Sequence, residues 1–504
     1  MRVRVRLDGS RPRRWHVLLL DRIARRDGTT VEVDARPGPA GWPDNADLLF
    51  SLEALLARVP RVNAAAPAED GALAAHAGHA QGRPDLILDL CGDVPEDAAD
   101  RVARLTFDGG AGEPALLASL LAGKTPVVAF VEGGRVLASG RVGTERRGLV
   151  LPSFCDALIR ALAFLPAVLA GTPGTGAGAV LPAAAAVPVL SSHGVGRYGA
   201  KLAARFVMQR LYHLCYHAPH WRVGWRRLDG PDLIDLRRHP ASGWTDLPDD
   251  GLRFYADPFP IERDGERFVF VEEYPHGTGK GVISALRFGP EGPRGRPEPV
   301  LEEAHHLSYP FVFAREGALW MVPESGAGES IDLYRATAFP GGWVKEATLV
   351  SGLVASDATL LEHGGLWWMF ATVCDARAQA PYGGGSFSDA LHLWSAPDFR
   401  GPWTPHPANP VLVDIASARP AGRIVARDGK LIRPVQDCTL GYGNALALAR
   451  IDRLDREGYA QTVETVLRAG PSWRGSRLHT LNRSENFEFI DGSDRAPRIP
   501  GLPR

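Results

Sequence analysis

The chain lacks several features that commonly announce a function. Only five of its 504 residues are cysteines: Cys91, Cys155, Cys215, Cys374 and Cys438. No two of them stand in a CxxC pair, and the number is odd. A zinc site or a disulfide framework is therefore not expected, and a reducing, cytoplasmic location fits better. Charge of one sign is missing too, since 57 basic residues face 58 acidic ones for a formal net charge of −1. Nucleic acid is thereby excluded as an expected partner. Lysine is scarce, 5 against 52 arginines, which reads as codon bias in a GC-rich genome. The apolar run Val17 to Leu20 is too short for a signal-peptide core, and no stretch approaches 18 consecutive apolar residues, so no transmembrane segment is expected. Tyrosine is absent before Tyr198, and only two of the twelve tryptophans precede Trp221. Two domains of different architecture follow from that division.

In contrast, glycine (56) and proline (41) are abundant. Such an excess belongs either to a disordered linker or to the turns of an all-β region. Residues 1–170 alternate short β runs with helical ones, including Arg2 to Leu7, Leu86 to Leu90, Pro126 to Val131 and an apolar helix from Phe154 to Leu169. This alternation predicts an α/β domain with a mostly parallel sheet. The turn Phe107 to Gly112 resembles a phosphate loop but lacks the GxGxxG spacing and a partner lysine. Residues 171–196 form a low-complexity linker, and 197–217 a connecting helix whose basic amphipathic pattern allows peripheral membrane contact as well as packing on the next domain. The region 218–493 follows, with a tail at 494–504.

Within 218–493 a repeat is legible. Four segments share the form polar residue, apolar strand, turn, apolar strand, opening at Ala256, Ser308, Ser356 and Ala421. A weaker fifth copy begins at Leu478. Alignment makes Asp257, Tyr309, Asp357, Ala421 and His479 equivalent, at spacings of 52, 48, 64 and 58 residues. A period near 50 residues with four strands per unit predicts an all-β propeller of five blades.

The first strand of each propeller blade lines the channel, so the aligned residues converge at one mouth. The residue fifteen later on the returning strand approaches the same mouth, which adds Glu272, Glu324, Thr372 and Gln436. Arg419 and Arg423 flank Ala421 on its face, and Asp437 adjoins Gln436. So many charges gathered without a function would be costly to bury. Paired carboxylates suit glycosidic bond chemistry, one ionised and one held protonated, and arginines suit anionic sugars. The competing reading is a water-filled channel closed by ion pairs, with Asp257 before Pro258 and Asp357 in ordinary turn roles. Trp320, Trp367 and Trp368 are expected in the core between blades, and Cys438 is expected buried. The adjacent His305 and His306 cannot both point to one metal from a strand, so no metal or cofactor is assigned.

The motifs FYADPFP, LSYPFVF, PES, ASDATL, FSDALHLW, GPWTPHPANPV, SARPAGR and RPVQD resemble the five-bladed propeller domain at the amino end of plant glucosamine inositolphosphorylceramide transferases. That domain is similar in architecture to family 43 and 68 glycoside hydrolases, whose first-blade aspartate matches Asp257 and whose second could match Asp357. The resemblance implies a glycan or glycolipid substrate, with Asp257 as base or nucleophile, Glu324 as acid by geometry alone, and Asp357 orienting substrate or tuning the acid. Glu272, Tyr309, Arg419, Arg423, Gln436, Asp437 and His479 are then the substrate-binding set. PDLILDLCG and the segment from Thr106 to Gly140 more weakly resemble the Rossmann-like domain of formyltransferases, without that family's catalytic Asn, His and Asp. Three readings stay open: an enzyme acting on a glycosidic bond, a non-catalytic glycan-binding propeller beside a degenerate formyltransferase-like domain, and an active sugar formyltransferase with a propeller accessory.

Overall fold

The structure is a computed structural model that describes every residue except 40, 77–81, 188, 376–381, 500 and 503–504. It forms two units. One comprises Met1–Val207 with Arg377–Ser386 and Leu412–Asp414, the other Met208–Ala376, Phe387–Val411 and Ile415–Arg504.

The first unit is an α/β domain. Alternation in Arg2–Arg6 buries Val3 and Val5, and this strand pairs in parallel with Thr30–Asp34 on one side and Leu86–Asp89 on the other. Arg101–Phe107 extends the parallel set. Val127–Glu132 and Arg135–Arg141 then add antiparallel strands, so the sheet is mixed. The helical run Val150–Ala170 is apolar enough and long enough to cross a membrane, but 72% of its 18-residue window is buried within the protein. Counting uninterrupted apolar residues overlooked it because Asp156 and Arg160 interrupt the run without spoiling its mean hydropathy.

The turn after Phe107 has a structural explanation. Asp108 accepts from Ser119 Oγ at 2.6 Å and from the Val127 N–H at 2.9 Å. The following helix, Gly112–Leu121, carries Glu113 in its own first turn, and that carboxylate is bonded by Arg13 and Trp15. The low-complexity segment also has partners. Gly174 N–H and Gly178 N–H donate to Leu137 and Val136, and Ser139 N–H donates to Thr175. Residue 188, within that segment, lies outside the described residues, as do residues 500, 503 and 504 of the tail.

The second unit is the five-bladed propeller. Four successive sheets run Arg253–Leu301, Ser308–Ser351, Leu353–Pro405 and Val425–Leu467 in chain order. The inner hairpins turn at Asp264-Gly265, Glu316-Gly317, Gly364-Gly365 and Asp428-Gly429, and all eight residues have positive φ. That is the signature of the tight hairpin turn whose twist matches the strands. Five glycines of this half, Gly265, Gly317, Gly364, Gly365 and Gly429, are placed by those turns. The fifth blade is assembled from both ends of the unit: Thr480–Arg483 and Phe487–Pro497 are joined by Tyr216–Arg227 and Thr245–Asp246. The last long strand thus runs four residues into the segment read as tail, and the connecting helix, Ser192–Cys215, begins within the segment read as linker. Aromatic packing between blades includes Phe313, Trp320, Trp367 and Phe399. Trp368 and Cys438 are buried as expected.

Candidate functional site

The site begins with a backbone irregularity repeated around the channel. In the first three blades the inner strand bulges immediately after its polar residue, between Ala256 and Phe259, Ser308 and Phe311, and Ser356 and Thr359. Asp257, Tyr309 and Asp357 each adopt φ of 50°, 42° and 57°, a conformation that costs a non-glycine residue about 1 kcal/mol or more. The fourth blade uses Gly422, next to Ala421, with φ 133°. Each bulge frees an N–H for the channel. Asp257 N–H donates to Asp491 Oδ2 at 2.7 Å, Tyr309 N–H to Asp257 Oδ2 at 3.1 Å, Asp357 N–H to Glu324 Oε2 at 3.0 Å, and Gly422 N–H to Tyr309 Oη at 2.7 Å.

Two networks grow from these contacts. In the first, Asp257 Oδ1 accepts from Thr480 Oγ1 at 2.9 Å, and His479 Nε2 lies 3.5 Å away. His479 Nδ1 meets Asp491 Oδ1 at 2.5 Å, while Trp221 stacks on the imidazole at 4.1 Å. In the second, Arg419 Nε donates to Asp357 Oδ2 at 2.6 Å and its Nη2 to Glu324 Oε2 at 3.3 Å. Gln436 Nε2 donates to the same Asp357 oxygen at 2.8 Å. Arg419 also lies 4.7 Å from the Tyr442 ring, and Tyr442 Oη is 3.1 Å from His479 Nε2, joining the two networks.

Glu272 stands apart from both. Its counterparts Glu324 and Asp491 accept the bulge N–H of the following blade, but the corresponding N–H of Tyr309 goes to Asp257 instead. Glu272 is faced by His306 Nε2 at 3.3 Å. Because His306 Nδ1 accepts from the Gly281 N–H at 2.9 Å, the ring proton sits on Nε2 and points to the carboxyl.

Burial governs the titration of this cluster. Asp257 is pushed up to about 6 by desolvation and by Asp491 and Asp357, against the pull of His479. Asp357 is pushed up to about 7, chiefly by burial, with Arg419 opposing and Glu324 reinforcing. Glu272 is raised well above the usual carboxylate range by burial and by Asp257, Glu324, Asp491 and Asp357. Burial disfavours the His479 cation, yet Asp491 and Asp257 hold its pKa above the ordinary value.

Eight of the residues selected from sequence meet here: Asp257, Glu272, Tyr309, Glu324, Asp357, Arg419, Gln436 and His479. Tyr309 has no exposed surface; its hydroxyl bridges Thr359 and Gly422, making it the floor of the site. Arg423 does not join them. The segment before Val425 is not a strand, so two-residue spacing no longer fixes a face, and Gly422 redirects the chain. Arg423 instead reaches the carbonyls of Val312 and Pro260 between Phe259 and Phe311. Asp437 also departs, because alternation along Lys430–Asp437 sends it opposite to Gln436; it bonds Thr439 N–H at 3.0 Å and faces Arg468 at 3.5 Å.

Asp491, Thr480, Tyr442 and Trp221 were missed, and His306 was weighed only as a metal ligand. Asp491 is the fifth-blade counterpart of Glu272, but its hairpin is shorter: Thr480 pairs with Asp491, whereas Ala256 pairs with Glu272. A fixed offset of fifteen passes over it. One ligand atom from each of Asp257, His479 and Asp491 lies within 4.8 Å of the others, close enough to hold a cation, where the sequence reading assigned none.

Residues 247–490 match the family model described as glucosamine inositolphosphorylceramide transferase 1, N-terminal. That match falls within the propeller and spans most of its blades. Over 256 residues the chain is 33% identical to glucosamine inositolphosphorylceramide transferase 1 of Oryza sativa subsp. japonica, which covers 48% of this chain and 34% of the relative. The Arabidopsis thaliana protein of the same name is 31% identical over 252 residues, covering 47% and 32% respectively. The chain thus spans about a third of the length of the curated relatives it matches. Solved structures similar to this chain include a thermostable family-43 glycoside hydrolase, at 13% identity and TM-score 0.32 over 44% of this chain and 78% of that one. A family 117 glycoside hydrolase of Zobellia galactanivorans aligns at 13% identity and TM-score 0.34 over 55% and 91%.

Proposed function

We propose that the propeller is a carbohydrate-active module that acts on a glycosidic bond of a glycan or glycolipid at the channel mouth. The reading is carried by one observation: three buried carboxyl groups, Asp257, Asp357 and Glu272, all titrate above the ordinary carboxylate range at one place. Glycosidic cleavage needs one carboxyl that holds its proton and one that has lost it. Glu272 suits the acid. It is free of the backbone duty that occupies Glu324, and burial keeps its proton on. Glu324, whose Oε2 accepts from both the Asp357 N–H and Arg419, suits an orienting role rather than the donor role expected from sequence. Asp257, near pH 6 and held by Thr480 and the Tyr309 N–H, suits a base at neutral pH. Trp221 and Tyr442 supply aromatic surface beside it.

The names of the curated relatives include inositolphosphorylceramide, and we extend to this chain the expectation of an anionic or lipid-linked glycan. Arg419, which already pairs with Asp357 and Glu324, is the arginine of the cluster that such a group would have to engage. The decisive measurement is turnover on a glycoside panel by the wild type, Asp257→Asn and Glu272→Gln. Loss of roughly 10²–10⁴-fold in kcat is expected for each; unchanged turnover in both would sink the assignment. The contacts of Arg419 with both Asp357 and Glu324 favour a second reading, binding without cleavage. Calorimetric binding of the same glycans without turnover would decide for it.

A further inference from the structure

The helix Ser192–Cys215 has two apolar faces, and only one of them is covered. Val195, Gly199 and Leu202 are buried along one side. On another, Val207, Leu211 and Leu214 recur at i, i+4 and i+7 with Met208 beside them, each at least half exposed. That spacing makes a continuous stripe on the helix surface. At 100° per residue, Arg210 borders the stripe on one side and Lys201 and Arg205 border it on the other. All three are exposed, and among the described residues none has a carboxylate partner. The sequence explains their isolation: no aspartate or glutamate occurs between Asp156 and Asp229, in a chain that is otherwise balanced in charge.

We infer that this helix docks the protein on an anionic lipid surface, with Val207, Met208, Leu211 and Leu214 entering the headgroup boundary and Lys201, Arg205 and Arg210 meeting lipid phosphates. A stripe of this width flanked by basic side chains with aliphatic stems is the arrangement that lies in an interface plane. Tyr212, stacked on Tyr216 at 5.1 Å, adds the kind of amphipathic ring that settles at headgroup level. Charge decides against a second copy of the chain as the occupant. Pairing two such stripes would set Arg210 of one copy near Lys201, Arg205 or Arg210 of the other, with no acidic residue on either helix to neutralise them.

The test is co-sedimentation of the full chain with vesicles of phosphatidylcholine alone and with roughly one third phosphatidylglycerol, which carry no glycan and so leave the glycan reading untouched. Binding is expected to the anionic vesicles and to fall steeply with salt. Arg205→Glu with Arg210→Glu should weaken it on the order of a hundredfold. Val207→Gln, Leu211→Gln and Leu214→Gln together should abolish it, and because these side chains are exposed the fold should survive, as checked by circular dichroism. Absence of binding to anionic vesicles at low salt would overturn the proposal, as would binding that neither set of substitutions changes. So would a stable dimer in solution that Leu211→Gln dissociates.

Discussion

In the N-terminal unit a mostly buried carboxylate is given its own donors, whereas in the propeller channel several share too few. Glu113 receives Arg13 Nε at 2.6 Å and Trp15 Nε1 at 2.7 Å, with His16 at 3.5 Å. Burial opposes its charge, but Arg13 and His16 still hold it down to about 2. Glu53, fully buried, accepts from the N–H groups of Val150 and Leu151. Around the channel, Asp257, Glu272, Asp357, Glu324 and Asp491 have one arginine and one histidine in direct contact, apart from the half-exposed His306. Dedicated partners make a buried charge a fastener. Shared ones raise the proton affinity of Asp257, Asp357 and Glu272, which is the condition acid–base chemistry needs.

The contrast can be broken by exchanging charge for shape. The largest effect is expected at Glu272→Gln, which removes the acid and should lower kcat by roughly 10³-fold. If turnover persists, the raised titration of Glu272 is a packing accident. In the other unit, Glu113→Gln leaves Arg13 buried without its partner and should cost about 3–5 kcal/mol of that unit's stability, read from its denaturant midpoint. A loss below about 1 kcal/mol would remove the distinction between fasteners and proton carriers.

Titration sharpens the same contrast through its sign. Asp257 and Asp357 have folded pKa values raised from 3.8 to about 6 and about 7. The stability they contribute is therefore fully present below about pH 4 and lost as pH rises through 6 to 7. Glu113 is depressed from 4.5 to about 2, so its contribution is present above about pH 4.5 and lost as pH falls through 2. Between pH 8 and pH 5 the propeller should gain up to a few kcal/mol while the Glu113 contribution stays constant. Calorimetry across that range checks this, and Asp357→Asn should flatten the propeller's slope. The smallest effect is expected from Glu272→Gln on stability, a gain of about 1 kcal/mol at pH 8, because a carboxyl poised for function is poorly placed for folding.

The sequence carried the propeller because its fold is periodic. One polar residue, one apolar strand and one turn recur, and the turns fall where alignment placed them. It carried most of the site for the same reason, since equivalent positions in a ring converge. It failed where the period breaks. Arg423 sits beyond a glycine in a stretch that never becomes a strand, and Asp491 sits in a hairpin shorter than the rest. Trp221 was beyond the reach of repeat analysis altogether, because its strand enters the ring from the opposite end of the unit. Donor roles were also illegible. Whether Glu272 or Glu324 is free depends on which neighbour's N–H each receives, and that is settled by the bulges.

The fifth blade gives the domain a practical boundary. The family match runs from 247 to 490, yet the ring is fastened by Tyr216–Arg227 lying against Phe487–Pro497. A fragment trimmed to the match would lose the clasp strand entirely and amputate the strand it grips. Trp221, which stacks on His479, would leave with it. Such a fragment would present an unzipped sheet edge and invite aggregation, because the closed ring runs from Tyr216 to Pro497.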